Sequence, residues 1–153
     1  RFEVFFDEFK AKAVTDQHSA GLDSDKFDDF CEHLLVVDNE QDKKVIATTR
    51  LLLSSQKPAD LSYIAQEEFA IPLLDAVQDN CMEVGRSCVH KDYRDGKAIQ
   101  LLWRGITKLI FDHDIRYLFG CASFHGTDID KIAQGGFGDF IFHVEDKSFN
   151  FTV

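Results

Sequence analysis

Three charged residues stand where packing alone would place apolar ones. Glu83 and Arg86 lie in CMEVGRSCVH and Arg50 lies in ATTRLLL, both otherwise of strand composition. An unpaired buried charge is costly. Three of them on adjacent strands read as the floor of a polar site, with a structural ion pair between Glu83 and Arg50 or Arg86 as the competing reading. In a regular strand Glu83 and Gly85 share one face, Val84 and Arg86 the other. Gly85 marks where a bulge or a close ligand approach would change that. Directly afterwards KDYRDGKAI places Lys91, Arg94 and Gly96 in a short loop before a helix that begins near Lys97. Backbone N–H groups and the dipole at a helix start attract anions, and glycine permits close approach. A phosphate-type group is expected there; a plain strand–helix connection is the competing reading.

That loop belongs to a basic stretch. From Arg86 to Lys108 six bases (Arg86, Lys91, Arg94, Lys97, Arg104, Lys108) face only Asp92 and Asp95, on a chain of formal net charge −10. The overall charge argues against nucleic-acid binding, which needs a basic footprint. The local patch fits one anionic partner bound at one place, or simply the solvated face of a helix. The four cysteines lie in apolar stretches without C-x-x-C spacing, so they read as free thiols of a reducing, cytoplasmic compartment. The six histidines are scattered, and no metal site is expected. Fifteen phenylalanines imply an aromatic core, or an acyl-sized pocket. No apolar run approaches the ~18 residues of a membrane span, and no secretory signal is visible. The chain opens on Arg1 rather than methionine, so a preceding piece is expected. Its 153 residues are expected to form one domain, 1–153.

The elements that must position these residues follow from periodicity. Apolar spacing predicts a helix from Arg1 to about Ala13, then a polar loop. HLLVVD, NEQDKK and VIATTRLLL predict an antiparallel hairpin. Pro72 breaks any single helix across YIAQEEFAIPLLDAVQDN. CMEVGRSCVH is a third strand and IRYLFGCASF a fourth. Between them GKAIQLLWRGITKLIFDHD carries apolar residues three and four apart, an amphipathic helix. A short helix at TDIDKIAQGG and a last strand or aromatic lid in FGDFIFHVEDKSFNFTV complete the chain. The order implies an α/β (α+β) fold with helices on both faces of a mixed sheet.

This arrangement resembles the GNAT acyltransferase superfamily. There a splayed pair of parallel strands in a three-layer α/β/α fold with a mixed, mostly antiparallel sheet holds a pantetheine arm. The following loop, usually [Q/R]-x-x-G-x-[G/A], holds its phosphate. Here Arg94, Gly96 and Ala98 supply R-x-G-x-A, one residue shorter between arginine and glycine. Within the superfamily the chain is similar to the branch of acyl-homoserine-lactone (autoinducer) synthases and ornithine lipid N-acyltransferases. RFEVF matches R-x-x-V-F, giving Arg1 and Phe5. DKFD matches D-x-x-D, giving Asp25 and Asp28. TTRLL gives Arg50, and MEVGRSCV matches E-x-x-R, giving Glu83 and Arg86. EVGRSCVHKDYRDG, LLWRGI and YLFGCASFHGTD point to the ornithine lipid enzymes. The resemblance runs from Arg1 to about Asp130; no tryptophan lies near the N-terminus, where autoinducer synthases carry one.

The resemblance implies acyl transfer from a thioester to an amine. The donor would be a (3-hydroxy)fatty acyl chain on the phosphopantetheine of an acyl carrier protein, or acyl-CoA as second choice, with no tightly bound cofactor. The acceptor would be the α-amine of ornithine or a similar amino acid. Glu83 would be the general base, with Arg86 and Arg50 holding the acceptor's carboxylate or orienting Glu83. Asp25 and Asp28 would meet the acceptor's ammonium groups or brace the arginines, with Arg1 and Phe5 in the same substrate site. Arg94, Gly96, Lys97 and Ala98 would take the pantetheine phosphate, and a backbone N–H near Cys88 or Val89 the oxyanion. Lys91, Arg94, Arg104 and Lys108 would dock the carrier protein. Phe119, Phe124 and tail phenylalanines are candidates for the acyl tunnel. Cys88 and Ser87 lack a recognisable histidine partner, so a covalent route is disfavoured. Two other readings stand beside this one: an autoinducer synthase using S-adenosylmethionine, and a non-catalytic acyl-thioester binding module. A lipid product would bring peripheral membrane contact, although no basic amphipathic membrane helix is visible.

Overall fold

In the computed structural model the described residues are 1–11, 21–77, 79–121 and 142–143. Strands β1 (Glu32–Asp38) and β2 (Lys44–Leu53) form the expected hairpin. Its turn is closed by Asp42 and Lys43, both in the left-handed region. β3 (Cys81–Val89) pairs antiparallel with β2, and β4 (Tyr117–Phe119) pairs parallel with β3. β5 (Phe142–His143) closes the sheet antiparallel to β4, so spatial order follows chain order.

Seven consecutive residues of β2, Ala47 to Leu53, are buried, because this strand is covered on both faces. On one face lies α3 (Lys97–Asp112), whose Ala98, Leu102, Ile106 and Ile110 form a stripe at a spacing of four. Ile106 and Ile110 meet Leu51, Leu53 and Met82, while Ala98 and Leu102 meet Val36 and Ala47. On the other face Phe27, Tyr63, Ala65 and Leu74 cover Leu52, Cys81 and Phe119. Each fully buried leucine contributes roughly 1.5–3 kcal/mol. The ambiguous stretch before β3 resolves into two short helices, α1 (Ile64–Glu68) and α2 (Pro72–Ala76). Pro72 opens the second, where its missing N–H costs nothing.

The N-terminal expectation is corrected. A helix to Ala13 is replaced by one wide turn, Glu3–Glu8, in which the Phe9 N–H donates to Val4 O, five residues back. Lys10 takes a left-handed conformation and ends it. The expected helix at TDIDKIAQGG, Phe124, and all of the tail except β5 lie outside the described residues. Among the described residues no helix is long and apolar enough to cross a membrane.

Candidate active site

Glu83 is 3% exposed, and its partners are not arginines. The N–H groups of Ile64 and Ala65, at the start of α1, donate to its two carboxylate oxygens at 2.8 and 2.7 Å. The anticipated ion pair with Arg50 or Arg86 is therefore absent among the described residues. Burial pushes the Glu83 carboxyl above its ordinary range, while these two N–H groups and the charge of Arg50 pull the other way without cancelling it. Each oxygen keeps a lone pair for another proton.

Arg86 is not where simple alternation predicts. Pairing shifts register between Thr48↔Cys88 and Arg50↔Gly85, so β3 carries one extra residue there. Arg86 sits in this bulge with φ 51°, a left-handed conformation that costs a non-glycine residue of order 1–3 kcal/mol. The bulge turns Arg86 from the α3 face to the face of Arg50 and Glu83. Its guanidinium lies 5.3 Å from the Phe5 ring.

On that face three arginines interleave with three aspartates. Arg50 Nη1 donates to Asp25 Oδ1 at 2.7 Å and lies 3.2 Å from Asp28 Oδ1. Arg1 donates to Asp28 at 2.7 Å and to Asp23 at 2.9 Å. Arg86 Nη2 reaches Asp23 at 3.5 Å and Asp25 at 4.0 Å. The loop is organised around the same carboxylates: the Asp25 N–H donates to Asp28 Oδ2 and the Phe27 N–H to Asp25 Oδ1. Burial would raise the Asp28 carboxyl, but Arg1, the Asp25 N–H and Arg50 outweigh it and hold it well below the usual range. Asp23, absent from the D-x-x-D pattern, joins Arg1 to Arg86. Sequence reasoning missed it, because in sequence it is one loop acid among several and its partners Arg1 and Arg86 are distant along the chain.

Among the described residues the parallel pair β3–β4 matches only over Cys81–Glu83 and Tyr117–Phe119. β3 then runs on to Val89 without it. Gly120 is needed at the fork, because a Cβ there would lie 2.1 Å from Val84 O. Beyond the fork a cavity of about 450 Å³ lies between the N-terminal turn, the end of β3 and the start of α3. Val4 and Phe9 of the turn, Ser87, Cys88 and Val89 of β3, and Tyr93, Arg94, Gly96 and Ile99 line it. Gly96 caps α3 with φ 93°. Arg94 is clasped by Glu8 through two bonds, at 2.5 and 2.7 Å, donates to Val89 O, and lies over Phe9. Asp95 accepts from the Lys97 N–H and pairs with its ammonium. Ala98 is buried under the helix rather than lining the cavity. Of the basic face, Lys108 pairs with Asp112; Lys91 and Arg104 have no ion pair among the described residues.

All four cysteines are free. Burial pushes the Cys88 thiol up, away from thiolate. The His90 ring faces Lys44, Glu3 and the Asp92 N–H.

The family model described as an acetyltransferase (GNAT) domain matches residues 1–104. The chain belongs to that family. It is 36% identical over 133 residues to the L-ornithine N(alpha)-acyltransferase of Brucella abortus (strain 2308), covering 83% of this chain and 47% of that one. It is 35% identical over 138 residues to the enzyme of the same name from Rhodobacter capsulatus, covering 88% and 53%. The chain thus spans about half the length of the curated relatives it matches. Among solved structures it is similar to a CoA-dependent acyl-homoserine lactone synthase, BjaI, with SAM and isopentyl-CoA. That match has TM-score 0.59 and 21% identity, and covers 90% of this chain and 61% of that chain. At this identity the likeness shows the fold, the GNAT-like mixed α/β sheet expected from the sequence.

Proposed function

We propose that this chain carries an amine N-acyltransferase site. It moves a (3-hydroxy)fatty acyl group from an acyl carrier protein thioester to the α-amine of ornithine or a similar amino acid, the first step toward a lyso-ornithine lipid. The observation that carries the reading is Glu83: a buried carboxylate of raised pKa at the fork of β3 and β4, on the face of Arg50 and Arg86. Glu83 takes the amine proton, directly or through a water. The nitrogen attacks the thioester carbonyl, a β3 backbone N–H near Cys88 or Val89 meets the oxyanion, and the thiol leaves with the proton. The pantetheine arm lies in the cavity along Cys88 and Val89, its phosphate near Gly96 and Lys97 at the start of α3. Acyl-CoA is the second choice of donor. Lys91 and Arg104 meet the acidic carrier protein. The reaction is cytoplasmic, at the inner face of the membrane that receives the product.

The names of the relatives support the acceptor and the fold likeness supports the thioester. The test is thiol release from 3-hydroxyacyl carrier protein and from acyl-CoA, offered ornithine, homoserine or S-adenosylmethionine, with Glu83→Gln beside wild type. Ornithine-dependent release that falls about 10²–10⁴-fold in the variant supports the reading. Release with S-adenosylmethionine alone indicates an autoinducer synthase. Donor binding without release to any acceptor indicates a binding module.

A further inference from the structure

We propose that Arg86 and Asp25 are the pair that reads the acceptor, and that the pair selects a diamino acid with a free α-carboxylate. The other four charges of the cluster hold this pair in place. The inference rests on the acyl-transfer reading above and goes beyond it by dividing the cluster into contact and support.

Exposure makes the first division. The side chains of Arg50 and Asp23 are each 2% exposed, whereas those of Arg86 and Asp25 are 30% and 26% exposed. Bonding makes the second. Both oxygens of Asp28 are occupied, Oδ1 by Arg1 and Arg50, Oδ2 by Arg1 and the Asp25 N–H. Asp23 has Oδ2 on Arg1 and Oδ1 toward Arg86. Asp25 spends Oδ1 on Arg50 and the Phe27 N–H, but among the described residues its Oδ2 faces only Arg86, at 4.0 Å. Arg86 reaches its carboxylates at 3.5 and 4.0 Å and makes no hydrogen bond among the described residues. Every other guanidinium of the cluster donates at 2.9 Å or less.

Arg86 is nonetheless held, by the bulge beneath it and the Phe5 ring beside it. These contacts leave its donor fork unspent. A guanidinium with open donors suits a carboxylate, and a carboxylate with an open oxygen suits an ammonium. The α-amine must arrive neutral to attack the thioester. The ammonium that Asp25 takes is therefore the acceptor's second, distal one. Arg86 takes the α-carboxylate.

The test crosses enzyme variants with acceptors in the full protein, reading kcat/KM by thiol release. The acceptors are ornithine, ornithine methyl ester, and norvaline, which keeps the chain and lacks the distal amine. Wild type is expected to lose at least tenfold with either analogue. Asp25→Asn should lose at least tenfold on ornithine and little on norvaline. Arg86→Gln should lose at least tenfold on ornithine and little on the ester, because removing both members of a pair costs no more than removing one. Asp23→Asn should depress all three acceptors by the same factor. Variants are compared at equal folded fraction, and Arg86→Lys replaces Arg86→Gln if the latter does not fold. Equal losses on all acceptors in Asp25→Asn and Arg86→Gln would overturn this assignment and leave the acyl-transfer reading standing. No release from wild type with any acceptor would overturn both.

Discussion

Arg50 and Arg94 each meet a carboxylate at hydrogen-bond distance, 2.7 Å from Asp25 and 2.5 Å from Glu8. Arg50 is 2% exposed, under the loop that carries Phe27. Arg94 and Glu8 stand in solvent at the mouth of the cavity. Water screens the second pair and offers both partners an alternative; in the first pair Asp25 keeps some access to water, but Arg50 has none. The same bond therefore fixes a position in one region and makes an exchangeable contact in the other. The buried region suits an acceptor that must be oriented against Glu83. The exposed region suits a large donor that arrives and leaves with its phosphate.

The largest expected contrast is in stability. Arg50→Ala strands Asp25 and Asp28 with one buried partner fewer, and breaking such a pair costs about 3–5 kcal/mol. Arg94→Ala should leave the unfolding midpoint within error of wild type. Denaturant unfolding of the two variants side by side reads this. Similar losses in both would mean that burial does not separate the regions.

Next comes the fork between them. Gly120→Ala puts a methyl against Val84 O, and backbone cannot rotate away as a side chain end can. Overpacking of this kind costs about 1–3 kcal/mol and forces β4 from β3 beside Glu83. We expect kcat to fall more than donor affinity, measured by single turnover and by donor binding. A loss of donor affinity alone would place the fork with the exposed region.

The pH dependence separates two carboxylates within the buried region. Asp28 is held below its ordinary value near ~3.9, so its stabilisation is complete above that value and lost as pH falls toward its folded pKa. Asp28→Asn should be less stable at neutral pH and converge with wild type in acid. Glu83 is raised, so the sign reverses. Its charged form costs stability as pH climbs from the usual ~4.3 through its folded value, and its activity as a base is lost as pH falls through that value. Unfolding midpoints followed from neutral pH to well below the ordinary carboxylate range, and kcat/KM across pH 3–8, check both signs. A kcat/KM limb at the ordinary carboxylate pKa would remove Glu83 from the base role.

How far the sequence reveals these regions depends on whether a residue's role is local. Arg50 and Glu83 stand out as charges inside apolar strands, and the hairpin, β3 and α3 follow from alternation and spacing. The face of Arg86 does not, because one inserted residue reverses it, and Gly85 marks only where that insertion could sit. The N–H groups that hold Glu83 come from Ile64 and Ala65, in a stretch whose pattern fits neither period cleanly. Asp23 looks like an ordinary loop acid until folding brings Arg1 and Arg86 to it. The clasp on Arg94 joins residues 86 positions apart, beyond any local pattern.

The smallest expected effect concerns that clasp and tests the exchangeable side of the comparison. Glu8 occupies the Nη donors of Arg94 beside the cavity, where the donor's phosphate is proposed to lie. Phosphate and Glu8 then compete for one guanidinium. Glu8→Gln removes the competitor, so donor KM should fall a few-fold with kcat for ornithine unchanged. Because both partners are exposed, the wild-type difference should shrink as salt is raised toward 1 M, where screening acts over about 3 Å. Arg94→Ala should raise donor KM and abolish the effect of Glu8→Gln in the double variant. If Glu8→Gln instead raises donor KM, the clasp is a wall of the donor site rather than its rival. Arg94 would then serve the cavity by holding the N-terminal turn in place.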